Sequence, residues 1–168
     1  MTPEPVAQPI VGFRRWGCRR GGLYSGIFVA GRFVPNPALA MIAPRAMPSP
    51  WPHGHDRHAK CFALGGHEAP HERCGCGFSA YYALPAEPDL PAPEAVWGAV
   101  VAWGRVVECE LGFRAEYARP IALLDRGSRR DRGEGGRRRE RDAEEYGIPL
   151  LGRDELVAYA AWHGEVVA

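Results

Sequence analysis

The sequence has no apolar run close to the roughly 18–20 residues that a membrane-crossing helix needs, so no membrane role is expected. Its first residues, MTPEPVAQPIVGF, lack a basic segment followed by an apolar core, so no secretory signal is read and a cytoplasmic location is expected. It also lacks net charge of either sign: the formal value is +1, too small to attract nucleic acid through a global field. No C-x-x-C pair and no internal repeat occur. Long helices are disfavoured as well, because 21 glycines and 16 prolines call for many turns and short elements.

What is present is ordinary for one globular domain. The 168 residues are 46% hydrophobic and 24% charged, enough for a real core. The five cysteines are Cys18, Cys61, Cys74, Cys76 and Cys109, an odd number with three bunched together. In a reducing compartment that favours thiols or a metal site over a disulfide framework.

Along the chain, residues 1–10 carry three prolines and read as a flexible arm. VGFRRWGC (11–18) reads as a first strand, and LYSGIFVAGRFV (23–34) as one or two short ones. Six prolines between 35 and 52 forbid a helix there. GFSAYYAL (77–84) reads as a strand. In VWGAVVAWGRVVECEL, alternate positions place Trp97, Ala99, Val101 and Trp103 on one face, which predicts a long strand with that face in the core. Gly98 and Gly104 mark bends or close backbone approaches. LGFRAEYARPIALL turns back as a partner strand, with Pro120 at an edge or break. Residues 126–141, RGSRRDRGEGGRRRER, hold eight arginines against three acids and no apolar face. They read as a mobile loop. DAEEYG (142–147) reads as a short helix closed by Gly147. IPLL reads as a buried strand, and DELVAYAAWH as a helix with Leu156, Val157, Ala160 and Ala161 inward.

The densest chemistry lies in CFALGGHEAPHERCGCGFSAYY (61–82). Zinc takes four tetrahedral ligands, usually thiolate and imidazole. Cys61, Cys74, Cys76 and either His67 or His71 would supply them, with His53, His55 and His58 upstream widening the choice. Three thiolates on a divalent zinc leave a charge of −1, which Arg73 or Lys60 would offset. Two other readings stay open. Cys74 and Cys76 can alternate at a strand end as small hydrophobes, or a thiol beside His67 or His71 can act in redox or covalent chemistry. A catalytic zinc is set aside, on the reading that the chain holds no H-E-x-x-H and no H-x-E…P-C-x-x-C pattern.

Two further candidates bear on binding. The arginine run can bind phosphate or nucleic acid, or stay a solvated loop, and it lacks the interleaved aromatics that stack on bases. If the sheet curls, Arg14, Ser25 and Glu116 would line one pocket able to hold an anionic cofactor; otherwise they are ordinary strand residues.

The blocks LYSGIF, C-G-C-G-F-S-A-Y and WGAVVAWGRVVECELGFRAEYARP resemble a group of uncharacterised bacterial and phage-borne domains. In that group a CxCGFYA-like block precedes a WGxVxxxxxGxRAxYA-like strand pair. The likeness covers residues 12–124. It implies a shared fold and a focal region, with Ser79 standing where an aromatic is common.

These readings combine into a single α+β domain over 11–168, a twisted, mostly antiparallel sheet with one or two C-terminal helices. Strands are expected near 11–18, 23–34, 77–83, 96–109 and 113–124. The expected function is a non-enzymatic binding or regulatory module with a structural zinc and a protein or nucleic-acid partner. The alternative is a small nucleotide- or ADP-ribosyl-transferase-like enzyme using Arg14, Ser25 and Glu116.

Overall fold

The computed structural model describes residues 5–18, 22–29, 32–35, 51–54, 56–61, 66–86, 95–127 and 134–164. Their elements are β1 (Pro5–Cys18), β2 (Leu23–Tyr24), β3 (Gly26–Val29), β4 (Arg32–Pro35), β5 (Arg57–His58), β6 (Phe78–Tyr81), β7 (Ala95–Cys109), β8 (Gly112–Leu124), α1 (Glu134–Tyr146), β9 (Leu150–Leu151) and α2 (Arg153–Ala161). Seven strands form one sheet, and β3 and β4 form a separate hairpin. Every pairing is antiparallel except β8 with β9. The chain is thus the α+β fold with a mostly antiparallel sheet that the sequence leads one to expect.

The sheet is built around β7. It pairs with β1 on one side and β8 on the other. β6 also pairs with both β1 and β8, so β1, β7, β8 and β6 make a closed hydrogen-bonded circuit. The β1–β6 contact is a single residue pair, Phe13 with Tyr81. Two glycines permit the closeness and the bends. A Cβ on Gly98 would lie 2.2 Å from the Ala122 carbonyl oxygen, so β7 and β8 could not approach as they do. Gly104 has φ +80°, and the β7–β8 register shifts there, between Trp103 and Val106. The shift near Pro120 is a second bulge, at the place where proline's missing N–H would break a ladder.

Alternation on β7 serves two cores. Val96, Val100 and Ala102 join Trp16, Trp51, Phe113, Ala143 and Tyr146. Trp97, Ala99 and Val101 join Val11, Phe13, Ile121, Leu156 and Ala160. Neighbouring strand residues point to opposite faces, so α1 and α2 cover opposite sides of the sheet. The expectation of one buried face on β7 is therefore corrected: residues 95–102 are buried throughout.

Three other expectations change. Residues 5–10 belong to β1 rather than to a flexible arm. Pro5 opens the strand and Pro9 falls within its irregularity, both positions that tolerate a missing N–H. Residues 134–141 lie in α1 rather than in a loop, while 128–133 fall outside the described residues. In α2, Leu156 and Ala160 are buried, but Val157 and Ala161 face outward.

A polar keystone joins the first core. The Tyr146 hydroxyl donates to the Trp51 carbonyl at 2.6 Å and accepts the Leu23 amide at 3.0 Å. Burial pushes this phenol up to about 12, with Leu23's amide opposing the rise. Tyr146→Phe would leave two buried backbone groups unpaired, at about 1–3 kcal/mol each. The expected result is a lower Tm, read by thermal denaturation, with unchanged secondary structure by circular dichroism.

Asp142 sits one helical turn earlier, with no exposed surface, and among the described residues its carboxylate meets the Cys18 thiol but no stronger donor. Burial raises its pKa, with the charge of Glu145, against the pull of Cys18, Arg138 and Arg141. Its folded form therefore holds a proton more tightly than its unfolded form. The destabilisation is absent below the ordinary aspartate range and grows as pH rises toward the raised folded value. Asp142→Asn should raise Tm at neutral pH, with the gain shrinking toward pH 4. Thermal melts of both proteins across that range check it; an equal Tm difference at every pH would contradict it.

Candidate metal centre

Both ends of the cysteine–histidine segment are moored to β8. Upstream, β5 pairs Arg57 with Ala118 and His58 with Tyr117. The Ala59 amide then donates to the Glu116 carbonyl at 2.7 Å, and Cys61 follows two residues later. Downstream, Cys74 and Cys76 lead directly into β6, where Phe78 pairs with Ala115. Antiparallel pairing to neighbouring stretches of one strand thus returns Cys61 to Cys74 and Cys76.

The side chains converge. The ligand atoms of Cys61, His67, Cys74 and Cys76 all lie within 4.8 Å of one another. The Cys61 and Cys74 sulfurs are 3.7 Å apart, and the Cys76 sulfur is 3.4 Å from His67 Nε2. All four residues are partly buried. This group is able to hold a metal ion.

Arg114 on β8 braces the loop. Its Nη1 donates to the carbonyls of His71 at 3.1 Å and Cys76 at 3.0 Å, and closely to that of Cys74. The Cys74 amide closes a turn onto the His71 carbonyl at 3.1 Å. A second brace runs through Glu68, next to His67, whose carboxylate pairs with Arg105. Arg105 follows the Gly104 bulge, and the bulge also turns its amide onto Glu116 at 3.1 Å.

The two thiols of the C-x-C pair differ. The Cys76 backbone amide hydrogen-bonds the Cys74 sulfur and lowers its pKa, with Cys61 and Arg114 acting the same way. Burial pushes Cys76 up to about 11, reinforced by Cys74. Bound to a cation, each would give up its proton.

Of the five residues proposed from sequence as ligands, four come together and His71 stands beside them. Its ring is 4.5 Å from that of His67, but its Nδ1 accepts the Arg73 amide at 3.2 Å. The letters H-E-x-x-H do occur, at 67–71, contrary to the reading that no such pattern is present. The motif's chemistry needs a helix that sets both histidines on one face and leaves the glutamate free as a base. Here the segment is a loop with a cis Ala69–Pro70 bond, and Glu68 is held by Arg105. Upstream, His53 packs against Tyr146 at 4.3 Å. His58 stacks on Tyr117 and meets Glu116 at 3.4 Å. His55 lies outside the described residues.

Of the residues suggested for a pocket, Arg14 and Ser25 meet. Arg14 Nη2 donates to Ser25 Oγ at 3.0 Å. Glu116 belongs to a different network, with Arg105 and His58. Burial pushes its carboxyl up, but Arg105's amide and guanidinium outweigh this and hold it below its ordinary value. Sequence reasoning missed Arg105 and the bracing part played by Arg114. Only the spacing GxRAxYA hinted at Arg114, since its acceptors lie about 40 residues away.

Arg114→Gln removes the brace while keeping every ligand. Loss of such support around a metal site costs about 10–100-fold in affinity. Competition of Zn²⁺ or Co²⁺ binding against a chelator should show that loss, with the visible Co²⁺–thiolate absorption retained. Comparison of the chain with protein-family models, with curated proteins and with solved structures finds no match, so the likeness to bacterial and phage-borne domains rests on the residues quoted above.

Proposed function

We propose that Cys61, His67, Cys74 and Cys76 form a structural zinc centre in a non-enzymatic binding module. The observation that carries this reading is the spacing of the ligand atoms. A tetrahedron with Zn–S bonds near 2.3 Å has sulfur–sulfur edges of about 3.8 Å, and a Zn–N bond near 2.0–2.1 Å makes the sulfur–nitrogen edge about 3.6 Å. The chain sets the corresponding pairs 3.7 and 3.4 Å apart. Three soft thiolates and one imidazole suit zinc over magnesium or calcium. Four protein ligands fill the tetrahedron and leave no open position for a substrate, which supports a structural role.

Charge and context agree. Three thiolates with Zn²⁺ leave one negative charge, and the Arg114 guanidinium bears on Cys74 from β8. Thiols kept reduced fit an intracellular chain. The loop's outer surface, with His71, Glu72 and Arg73 exposed, is available to a protein or nucleic-acid partner. No helix among the described residues is long and apolar enough to cross a membrane.

Metal analysis of untagged protein prepared without chelator should find about one zinc per chain. Cys61, Cys74 and Cys76 should resist alkylation until a chelator is added. Cys74→Ser should lose the metal and several degrees of Tm. Metal-free protein with freely reactive thiols, and an unchanged Tm in the variant, would reject the zinc centre.

A further inference from the structure

Cys61 and Cys74 enter the cysteine–histidine group from opposite ends of the loop, one after β5 and one before β6. Their sulfurs stand 3.7 Å apart. A disulfide bond is about 2.0 Å long, so closing the gap asks each sulfur to move by about 1 Å, which rotation about the side-chain bonds supplies. Both residues are only partly buried, so part of each is open to solvent.

The other three cysteines are placed differently. Cys76 Sγ lies against His67 Nε2 at 3.4 Å. A single residue separates it from Cys74, so a bond between those two would close a small, strained ring. Cys18 has no exposed surface and meets Asp142. Cys109 is exposed, and its thiol donates to the Val107 carbonyl of its own strand at 3.8 Å.

We propose that Cys61 and Cys74 are a modification site for hydroperoxides, whose oxidation to a disulfide releases the zinc. The release rests on the zinc reading above; the pairing rests on the sulfur geometry. One thiolate sulfur attacks a peroxide oxygen, the O–O bond breaks, and the departing hydroxide takes a proton and leaves as water. That sulfur is now a sulfenic acid. The second thiolate attacks it, the S–S bond forms, the S–O bond breaks, and hydroxide again takes a proton and leaves as water. Two sulfurs are oxidised by one electron each and one peroxide is reduced to two waters. The protons come from the thiols in metal-free protein, and from solvent where zinc holds thiolates. Cys76 and His67 then remain as the last two ligands, too few for a closed tetrahedral site. The new bond ties the segment after β5 to the start of β6, the same two ends that the ion would tie. A reducing thiol reverses the step.

The test treats zinc-loaded protein with hydrogen peroxide. Released zinc is read with a chromophoric chelator, and thiol pairing by mass spectrometry of peptides prepared without reductant. About one zinc should leave for each disulfide formed. The link should join Cys61 to Cys74, Cys76 should remain open to alkylation, and dithiothreitol should restore zinc binding. Cys61→Ser should abolish the link. Oxidation of chelator-treated protein, shown to be folded by circular dichroism, separates the two readings. If the chain binds no zinc yet forms the Cys61–Cys74 link, the zinc centre falls and the modification site stands. Zinc-loaded protein that keeps its metal and its thiols under peroxide would overturn the proposal. So would oxidation that joins Cys76 to either partner, links two chains, or stops at sulfinic acid without a disulfide.

Discussion

One guanidinium organises the loop that carries the cysteine–histidine group. Arg114 projects from β8 and gathers the carbonyls of His71, Cys74 and Cys76. Loop backbone that turns this tightly has no sheet partner for those oxygens, and leaving them unpaired would be costly. The positive charge meets that need and at the same time sits beside three thiols that become negative when they bind a cation. Neither β-strand nor loop alone would place the cysteines. Their convergence follows from β5 and β6 both docking on β8, with one arginine from that strand reaching between them.

The rest of the fold keeps β8 in place. Its last five residues, 120–124, are buried, and both helices press on the sheet from opposite sides. Each helix does so through a narrow stripe. In α2 the stripe is Leu156 and Ala160. In α1 it is Arg139, Asp142, Ala143 and Tyr146, two of them charged. The buried Asp142 carboxyl works against the packing that the Tyr146 hydroxyl secures, so α1 combines a strong polar anchor with an adverse buried group.

That composition explains what sequence alone reveals and what it hides. β7 and β8 are legible because fifteen- and thirteen-residue strands carry a clear period. The burial of both faces of β7 is not, because Val96 and Val100 sit among glycines and alanines that read as a weak face. The second half of the arginine run hides a helix, since its inward positions at 139, 142, 143 and 146 keep helical spacing but include Arg139 and Asp142. The cysteine group is legible from residue type. The choice of His67 over His71 is not, because it depends on Arg73's amide and on Glu68 reaching Arg105. Arg57 gave no signal at all in HGHDRHAKC. Its place over the Trp51 ring appears only in the fold.

The single-pair join between β1 and β6 gives the closed circuit a weak clasp. Phe13 and Tyr81 are its one ladder pair, helped by the Arg14 side chain on Ser79, while the other three joins each run over several residue pairs. A ring fails first at its weakest seam, and rupture there converts it to an open, curled ribbon whose exposed strand borders can stick to other chains. β6 is the movable side of the clasp, being four residues long and tethered at its start by Cys74 and Cys76. An ion held by those two residues would therefore steady more than a local loop. It would help keep the ring a hoop rather than a strap.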